Sequence, residues 1–192
     1  MKERNKIIML GDSGVGKTSL VRQWVQHSFD PDLTKPTIGS AFSHVNFQYN
    51  GNIEKIQIWD TAGEEKYRAM APIYSQNAFG AIIVFDMSRK ETLEHVEEWM
   101  SCVPSNIPIV LAGNKCDLPN LQLSEETVFA FSEQFNFEVF FTSAASGLNV
   151  TEMFERVVTK AFECREETRE KLSVEVDIDN QNSNESNEKS CC

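Results

Sequence analysis

The sequence has no apolar stretch long enough to span a bilayer, which takes about 20 residues; its longest runs, such as 81–85 (AIIVF), fall far short. The opening MKERNKIIML carries no apolar core of the secretory type, and a chain made and kept on the cytoplasmic side is expected. Positive charge is also scarce: 18 Lys and Arg stand against 29 Asp and Glu, a formal net charge of -11. A basic face of the kind that binds nucleic acid is therefore not expected. Five cysteines, odd in number and widely spread, form neither a disulfide framework nor a metal-ligand spacing. What is present is 192 residues with 41% hydrophobic content, enough for one core and an appendage.

Along the chain, short apolar or β-branched runs alternate with segments of helical period. The pairs are 6–10 with 18–26, 81–85 with 91–100, 107–111 with 124–135, and 138–141 with 150–164. Strand and helix in alternation imply a parallel sheet covered on both faces. One departure is 41–49 and 53–59, joined by Asn50-Gly51-Asn52, where Asn-Gly is the strongest short hairpin signal. One strand should thus run antiparallel to the rest. Asn149 with Glu152, and Ser88 with Glu91, are spaced as capping boxes. From about Arg169 the sequence turns to Asn, Ser and acid without aromatic residues, which predicts a disordered acidic tail ending in Cys191 and Cys192.

The octapeptide GDSGVGKT, Gly11 to Thr18, follows a strand and opens a helix, the context a phosphate-binding loop requires. Its glycines let main-chain N–H groups curl around phosphate oxygens, while Lys17 supplies a full charge and Thr18 a hydroxyl for Mg²⁺. The loop alone leaves a small-molecule kinase, an ATPase and a GTPase open. Asp60-Thr61-Ala62-Gly63 ends the second hairpin strand, where an acid can reach a Mg²⁺ shell and a glycine N–H a terminal phosphate; a plain turn is the alternative. Asn114-Lys115-Cys116-Asp117 closes an apolar strand, and a carboxylate there accepts two N–H groups from guanine that adenine does not offer. Taken alone, that tetrapeptide also suits a helix-capping turn.

In this order, Gly11–Thr18, Thr37, Asp60–Gly63, Asn114–Asp117 and Thr142-Ser143-Ala144 resemble the five nucleotide boxes of a Ras-type small GTPase. Within that superfamily PTIGSAF (36–42), KIQIWDTAGEEKYRAMAPIY (55–74) and the terminal Cys-Cys resemble the Rab family, the vesicle-trafficking branch. The resemblance implies an α/β fold of the P-loop NTPase type, a Ras-like G domain whose mixed six-stranded sheet, one strand antiparallel, is flanked by five helices. That domain would take 1–168, with the tail at 169–192. It also implies GTP or GDP as ligand, held by Ser13, Gly14, Val15, Gly16, Lys17, Thr18 and Ser19, with Phe29 against the base. Thr37 and Gly63 would report the terminal phosphate, Asn114 and Lys115 shape the base pocket, Asp117 read the base, and Ser143, Ala144 and Ala145 form the base loop. The Ala144 main chain would bond the base oxygen. Mg²⁺ would fall to Thr18, Thr37 and, through a water, Asp60; Lys17 and Glu64 would be the catalytic pair. Phe42, Trp59 and Tyr74 would form an aromatic patch that, with Ile38, is read by effectors; ordinary core packing is the alternative for each aromatic residue.

The family usually carries glutamine where Glu64 stands. Glutamine both donates and accepts, whereas an ionised glutamate only accepts and adds charge beside the phosphate. Repulsion could then slow turnover, or Glu64 could take the proton from water; altered but not abolished hydrolysis is the expectation. Ala145 stands where the family has lysine, and 29–37 is one residue longer than usual. Cys191 and Cys192 resemble a dual geranylgeranylation signal, and two lipid chains make a stable anchor where one is marginal. The partners implied are an exchange factor, a TBC-type GTPase-activating protein, a GDP dissociation inhibitor, Rab effectors and the membrane, for a monomer without nucleic acid. The location implied is the cytoplasmic side of endomembranes, early endosomes on the similarity of PTIGSAF and APIYSQNA, with a cytosolic GDP-bound pool. The rivals are a GTP-locked scaffold without hydrolysis and a P-loop kinase acting on a small substrate.

Overall fold

The structure, a computed structural model, describes residues 5–32, 37, 39–63 and 69–187, with side chains beyond Lys171 and that of Glu170 left aside. Strand β1 (Asn5–Leu10) leads into helix α1 (Lys17–Gln26); β2 (Ser40–Tyr49) and β3 (Asn52–Thr61) form a hairpin; α2 (Ala71–Ser75) precedes β4 (Gly80–Asp86). Then come α3 (Glu91–Glu94) and α4 (Val96–Met100), β5 (Ile109–Asn114), α5 (Glu125–Gln134), β6 (Glu138–Thr142) and α6 (Val150–Asn187). Helices α3 and α4 meet end to end at His95 and occupy the single helical segment expected there. Counted as one, they leave five helices among the described residues.

The six strands lie in the order β2-β3-β1-β4-β5-β6. Every pairing is parallel except β2 with β3, so the sheet is mixed as expected. The hairpin closes as its sequence dictates: Tyr49 pairs with Asn52, and Asn50 (φ 47) and Gly51 (φ 79) both take the left-handed conformation of a type I′ turn. Strand β1 is buried at every position and β4 likewise, which is what a central parallel strand covered on both faces requires. One face packs against α1 and α6, with Trp24 stacked on Phe154 at 4.3 Å between ring centres. The other packs against α2, α3, α4 and α5 around the fully buried Trp99 and Phe85. The stripe Val150, Met153, Phe154, Val157, Val158, Ala161 and Phe162 is buried throughout, at about 1.5–3 kcal/mol for each large side chain.

Two local expectations are corrected. The Ser88 hydroxyl does not cap α3; it donates to Asp86 Oδ1 at 2.6 Å, and α3 has no side-chain cap. Asn149 turns its amide N–H to the Phe141 carbonyl at 2.8 Å rather than to the first turn of α6. Ser88 thus closes a local turn on the carboxylate two residues back, and Asn149 is oriented by the carbonyl at the end of β6. Helix α6 is continuous as far as Asn187. No glycine or proline follows Gly147 to stop it. Among its described side chains Phe162 is the last buried one, and Tyr49 donates to Glu166 at 3.2 Å.

Candidate functional site

All five parallel strands end on the same rim of the sheet, and each is followed by polar residues that converge there. Strand β1 delivers the loop 11–18, β3 delivers Asp60 to Gly63, β4 Asp86, β5 Asn114 to Asp117 and β6 Ser143 to Ala145. This is where an open α/β sheet binds ligands, outside the carboxyl ends of strands. A cavity of about 300 Å³ opens at that point. Its walls include Ser13, Gly14, Gly16, Lys17, Thr18 and Ser19 from the loop, Thr37 and Gly63 from two neighbouring segments, and Phe29, Asn114, Lys115, Asp117, Ala144 and Ala145 at the far end.

The loop is pinned from outside by its carbonyls. Arg89 Nη2 donates to the Ser13 carbonyl at 3.1 Å, Lys115 Nζ to Gly14 at 2.7 Å, and Asn114 Nδ2 to Val15 at 2.8 Å. Carbonyl and following N–H point opposite ways across a trans peptide, so these three bonds turn the N–H groups of Gly14, Val15 and Gly16 inward. Gly16 itself sits at the left-handed N-cap of α1 (φ 102), where a β-carbon would overlap the Asn114 amide. No side chain caps α1, which leaves its first N–H groups facing the cavity.

Lys17 is 6% exposed and donates to the Gly11 and Asp12 carbonyls at 2.7 and 2.8 Å. Burial lowers its ammonium from 10.5 to about 8, against the pull of Asp60 and Asp12. A β-carbon on Gly63 would overlap both the Lys17 nitrogen and the Asp12 carbonyl, so that approach requires glycine. Thr18 Oγ1 donates to Asp60 Oδ2 at 2.6 Å and lies 2.9 Å from Thr37 Oγ1, which leaves Thr37 as donor in that second bond. Burial pushes the Asp60 carboxyl up, while the Thr18 hydrogen bond and Lys17 pull it down. Its second oxygen, Oδ1, is buried without a hydrogen-bond partner. Two hydroxyls and a carboxylate with one unpaired oxygen form a hard, all-oxygen donor set that suits Mg²⁺.

The predicted residues divide into those the cavity gathers and those it does not. Val15 and Ser143 are buried and absent from its walls: the Val15 side chain belongs to the core, and the Ser143 hydroxyl accepts from Ser146 N–H at 3.1 Å. The Ala144 N–H, expected to meet a base oxygen, donates to Asn114 Oδ1 at 3.2 Å, and Thr142 Oγ1 donates to the same oxygen at 3.3 Å. Asn114 therefore ties the phosphate loop to the base loop. Glu64, Ile38, Cys191 and Cys192 lie outside the described residues. Phe42 is 63% exposed, with its ring centre 6.0 Å from that of the half-buried Trp59. Lys6 lies over the Trp59 ring at 4.0 Å and donates to the Tyr74 carbonyl, so one cation joins two members of the aromatic trio.

Sequence reasoning missed Asp86 and Arg89. Asp86 Oδ2 receives Lys115 Nζ at 2.6 Å and Arg89 Nε at 3.0 Å, and its side chain is 1% exposed. Burial pushes Asp86 up, but hydrogen bonds from Lys115 and Ser88 outweigh it and hold the carboxyl below its ordinary value. The available signal was an acid at the end of a fully apolar strand, followed three residues on by an arginine.

Fold and site together define a nucleotide-binding protein of the P-loop class. Residues 6–163 match the model of the Ras family. Rab-22A of Homo sapiens is 39% identical over 154 residues, covering 78% of this chain and 79% of that protein. Rab-5B of Plasmodium falciparum is 39% identical over 162 residues (82% and 77%), and RABA1i of Arabidopsis thaliana 40% over 162 (82% and 74%). The chain belongs to the Ras family, among the Rab small GTPases.

Proposed function

We propose that this chain is a guanine-nucleotide switch that binds GTP, hydrolyses it slowly and recruits trafficking effectors while the third phosphate is in place. The observation that carries the reading is one cavity walled by Lys17 and Thr18 at one end and Asp117 at the other, with Thr37 and Gly63 on the phosphate side. Thr18, Thr37 and Asp60 would hold Mg²⁺, which when bound neutralises phosphate charge. Main-chain N–H groups of the loop and Lys17 bind and orient the phosphates; Asp117 selects guanine by accepting two N–H groups; Asn114 keeps both loops in register. Thr37 and Gly63 approach the terminal phosphate from two different segments, so its loss releases both contacts at once. Glu64 stands where the attacking water is oriented, and turnover is altered rather than abolished because a TBC-type activating protein brings its own glutamine and arginine.

Phe42, Trp59 and Tyr74, with Ile38, form the effector surface in this reading, supported by the exposed Phe42 and by Ile73 at 60% exposure near Tyr74. No helix among the described residues is long and apolar enough to cross a membrane. Attachment to endomembranes, early endosomes by the similarity of PTIGSAF and APIYSQNA, would rest on geranylgeranyl groups at Cys191 and Cys192, with 169–192 as spacer. An exchange factor and a GDP dissociation inhibitor would cycle a monomer between membrane and cytosol. The test is single-turnover hydrolysis of protein loaded with GTP, with and without a TBC-type domain, alongside competition by ATP. Phosphate release in either condition with no displacement by ATP is expected. Displacement by ATP would favour the kinase reading, and no release in either condition the scaffold.

A further inference from the structure

An aspartate inside a phosphate-binding loop is an electrostatic difficulty. Asp12 is the second residue of the loop, and a carboxylate turned toward the cavity would repel a polyphosphate. The structure turns it away: Asp12 does not line the cavity, and both its oxygens are engaged on the opposite side. Trp99 Nε1 donates to Oδ1 at 2.8 Å and His95 Nδ1 lies 2.6 Å from Oδ2. His95 and Trp99 are one helical turn apart and project from the same face where α3 meets α4.

The two donors differ in what else they do. Trp99 is 1% exposed and belongs to the core, so its place is fixed by packing. The His95 side chain is 39% exposed and belongs to neither core cluster. Its Nδ1 meets the loop through Asp12. The Asp12 peptide in turn carries the carbonyl that receives Lys17 and that crowds Gly63. Holding the Asp12 side chain therefore fixes the peptide shared by the phosphate-binding lysine and by the glycine on the terminal-phosphate side.

We propose that His95 is a positioning residue for nucleotide binding: by hydrogen-bonding Asp12 it keeps the loop's carboxylate outside the cavity and slows nucleotide release. This rests on the guanine-nucleotide reading of the cavity. The tautomer follows from the geometry, since a carboxylate only accepts: Nδ1 carries the proton.

The experiment follows release of a fluorescent GDP from the full chain, with thermal stability measured in parallel. Loss of a hydrogen bond to a charged group at this position should speed release about tenfold in His95→Leu. His95→Asn, whose amide N–H reaches the place of Nδ1, should restore release to within about threefold of the parent. In an Asp12→Ala background, His95→Leu should add nothing further. A His95→Leu rate within about twofold of the parent, an Asn variant as fast as Leu, or additive effects in the double variant would each overturn the proposal. Nitrogen-15 spectra of the imidazole in the unaltered protein test the same contact without any substitution. A proton on Nδ1 supports it, and a neutral ring protonated only at Nε2 overturns it. Should the unaltered protein fail to retain GDP at all, the nucleotide reading itself would fall, a result distinct from any of these.

Discussion

Lys17 is buried at 6% exposure, and this sets a pH dependence that can be measured. Its ammonium falls from 10.5 to about 8 in the ligand-free fold, chiefly through burial. That lowering is worth roughly 3 kcal/mol. The unfolded chain keeps the proton up to its ordinary value, whereas the ligand-free fold gives it up near 8. Stability of the ligand-free fold therefore rises with pH between those two values, and the full cost of burying the charge is present below the lower one. A polyphosphate beside Nζ restores the charged form, so binding above pH 8 takes up a proton. GDP affinity, taken from association and dissociation rates, should fall about five- to tenfold between pH 8 and pH 9. Lys17→Met binds far more weakly, but its affinity should be flat over the same interval because nothing there titrates. A flat profile in the unaltered protein, or a slope that survives in Lys17→Met, would refute the assignment of the buried charge to Lys17.

Two further substitutions test the geometry. Asn114→Ala removes the donor to the Val15 carbonyl and the acceptor shared by Thr142 and Ala144, all buried; at about 3 kcal/mol for the group, GDP release should accelerate roughly 100-fold in a stopped-flow assay. Gly63→Ala drives a β-carbon into the Lys17 nitrogen and the Asp12 carbonyl, and a strain of about 1–3 kcal/mol should weaken GTP roughly tenfold relative to GDP. An unchanged GTP-to-GDP affinity ratio would count against the placement of Gly63 beside the terminal phosphate.

The parts legible in the sequence are those in which residue type alone decides the backbone. Asn50-Gly51 specified a hairpin turn because both positions need positive φ, and the turn is there. The glycine-rich loop, the aspartate at the end of β3 and the motif that begins at the end of β5 were legible because strand ends in a parallel sheet must meet on one rim. What the sequence hid were choices among competing hydrogen-bond partners. Ser88 and Asn149 had the spacing of caps, but each donates to another acceptor, the Asp86 carboxylate two residues back and the Phe141 carbonyl eight residues back. The Ala144 N–H was read as a ligand donor and is engaged by Asn114, a partner 30 residues away in sequence. Asp86 and Arg89 carried no motif spacing, since their partners come from loops on either side.

A chain of net charge -11 has to build a place for a polyphosphate out of few cations, and the way it deploys them separates what is fixed from what can respond. Arg89 and Lys115 are not spent on phosphate; they are paired with Asp86 and held against the Ser13 and Gly14 carbonyls. Their role is to fix the peptide planes, so that the N–H dipoles face the cavity beside Lys17, itself held by the Gly11 and Asp12 carbonyls. The carbonyl side of the loop is thus braced by contacts within the protein. On the opposite wall the contacts are of another kind. Among the described residues, Thr37 meets the site through a hydroxyl chain to Thr18 and Asp60, and Gly63 by close approach to Lys17 and Asp12. A ligand that inserts between these groups replaces those contacts without disturbing the braced side. In the proposed reading, a third phosphate would therefore be registered by Thr37 and Gly63, while the loop of residues 11–18 keeps its own bracing.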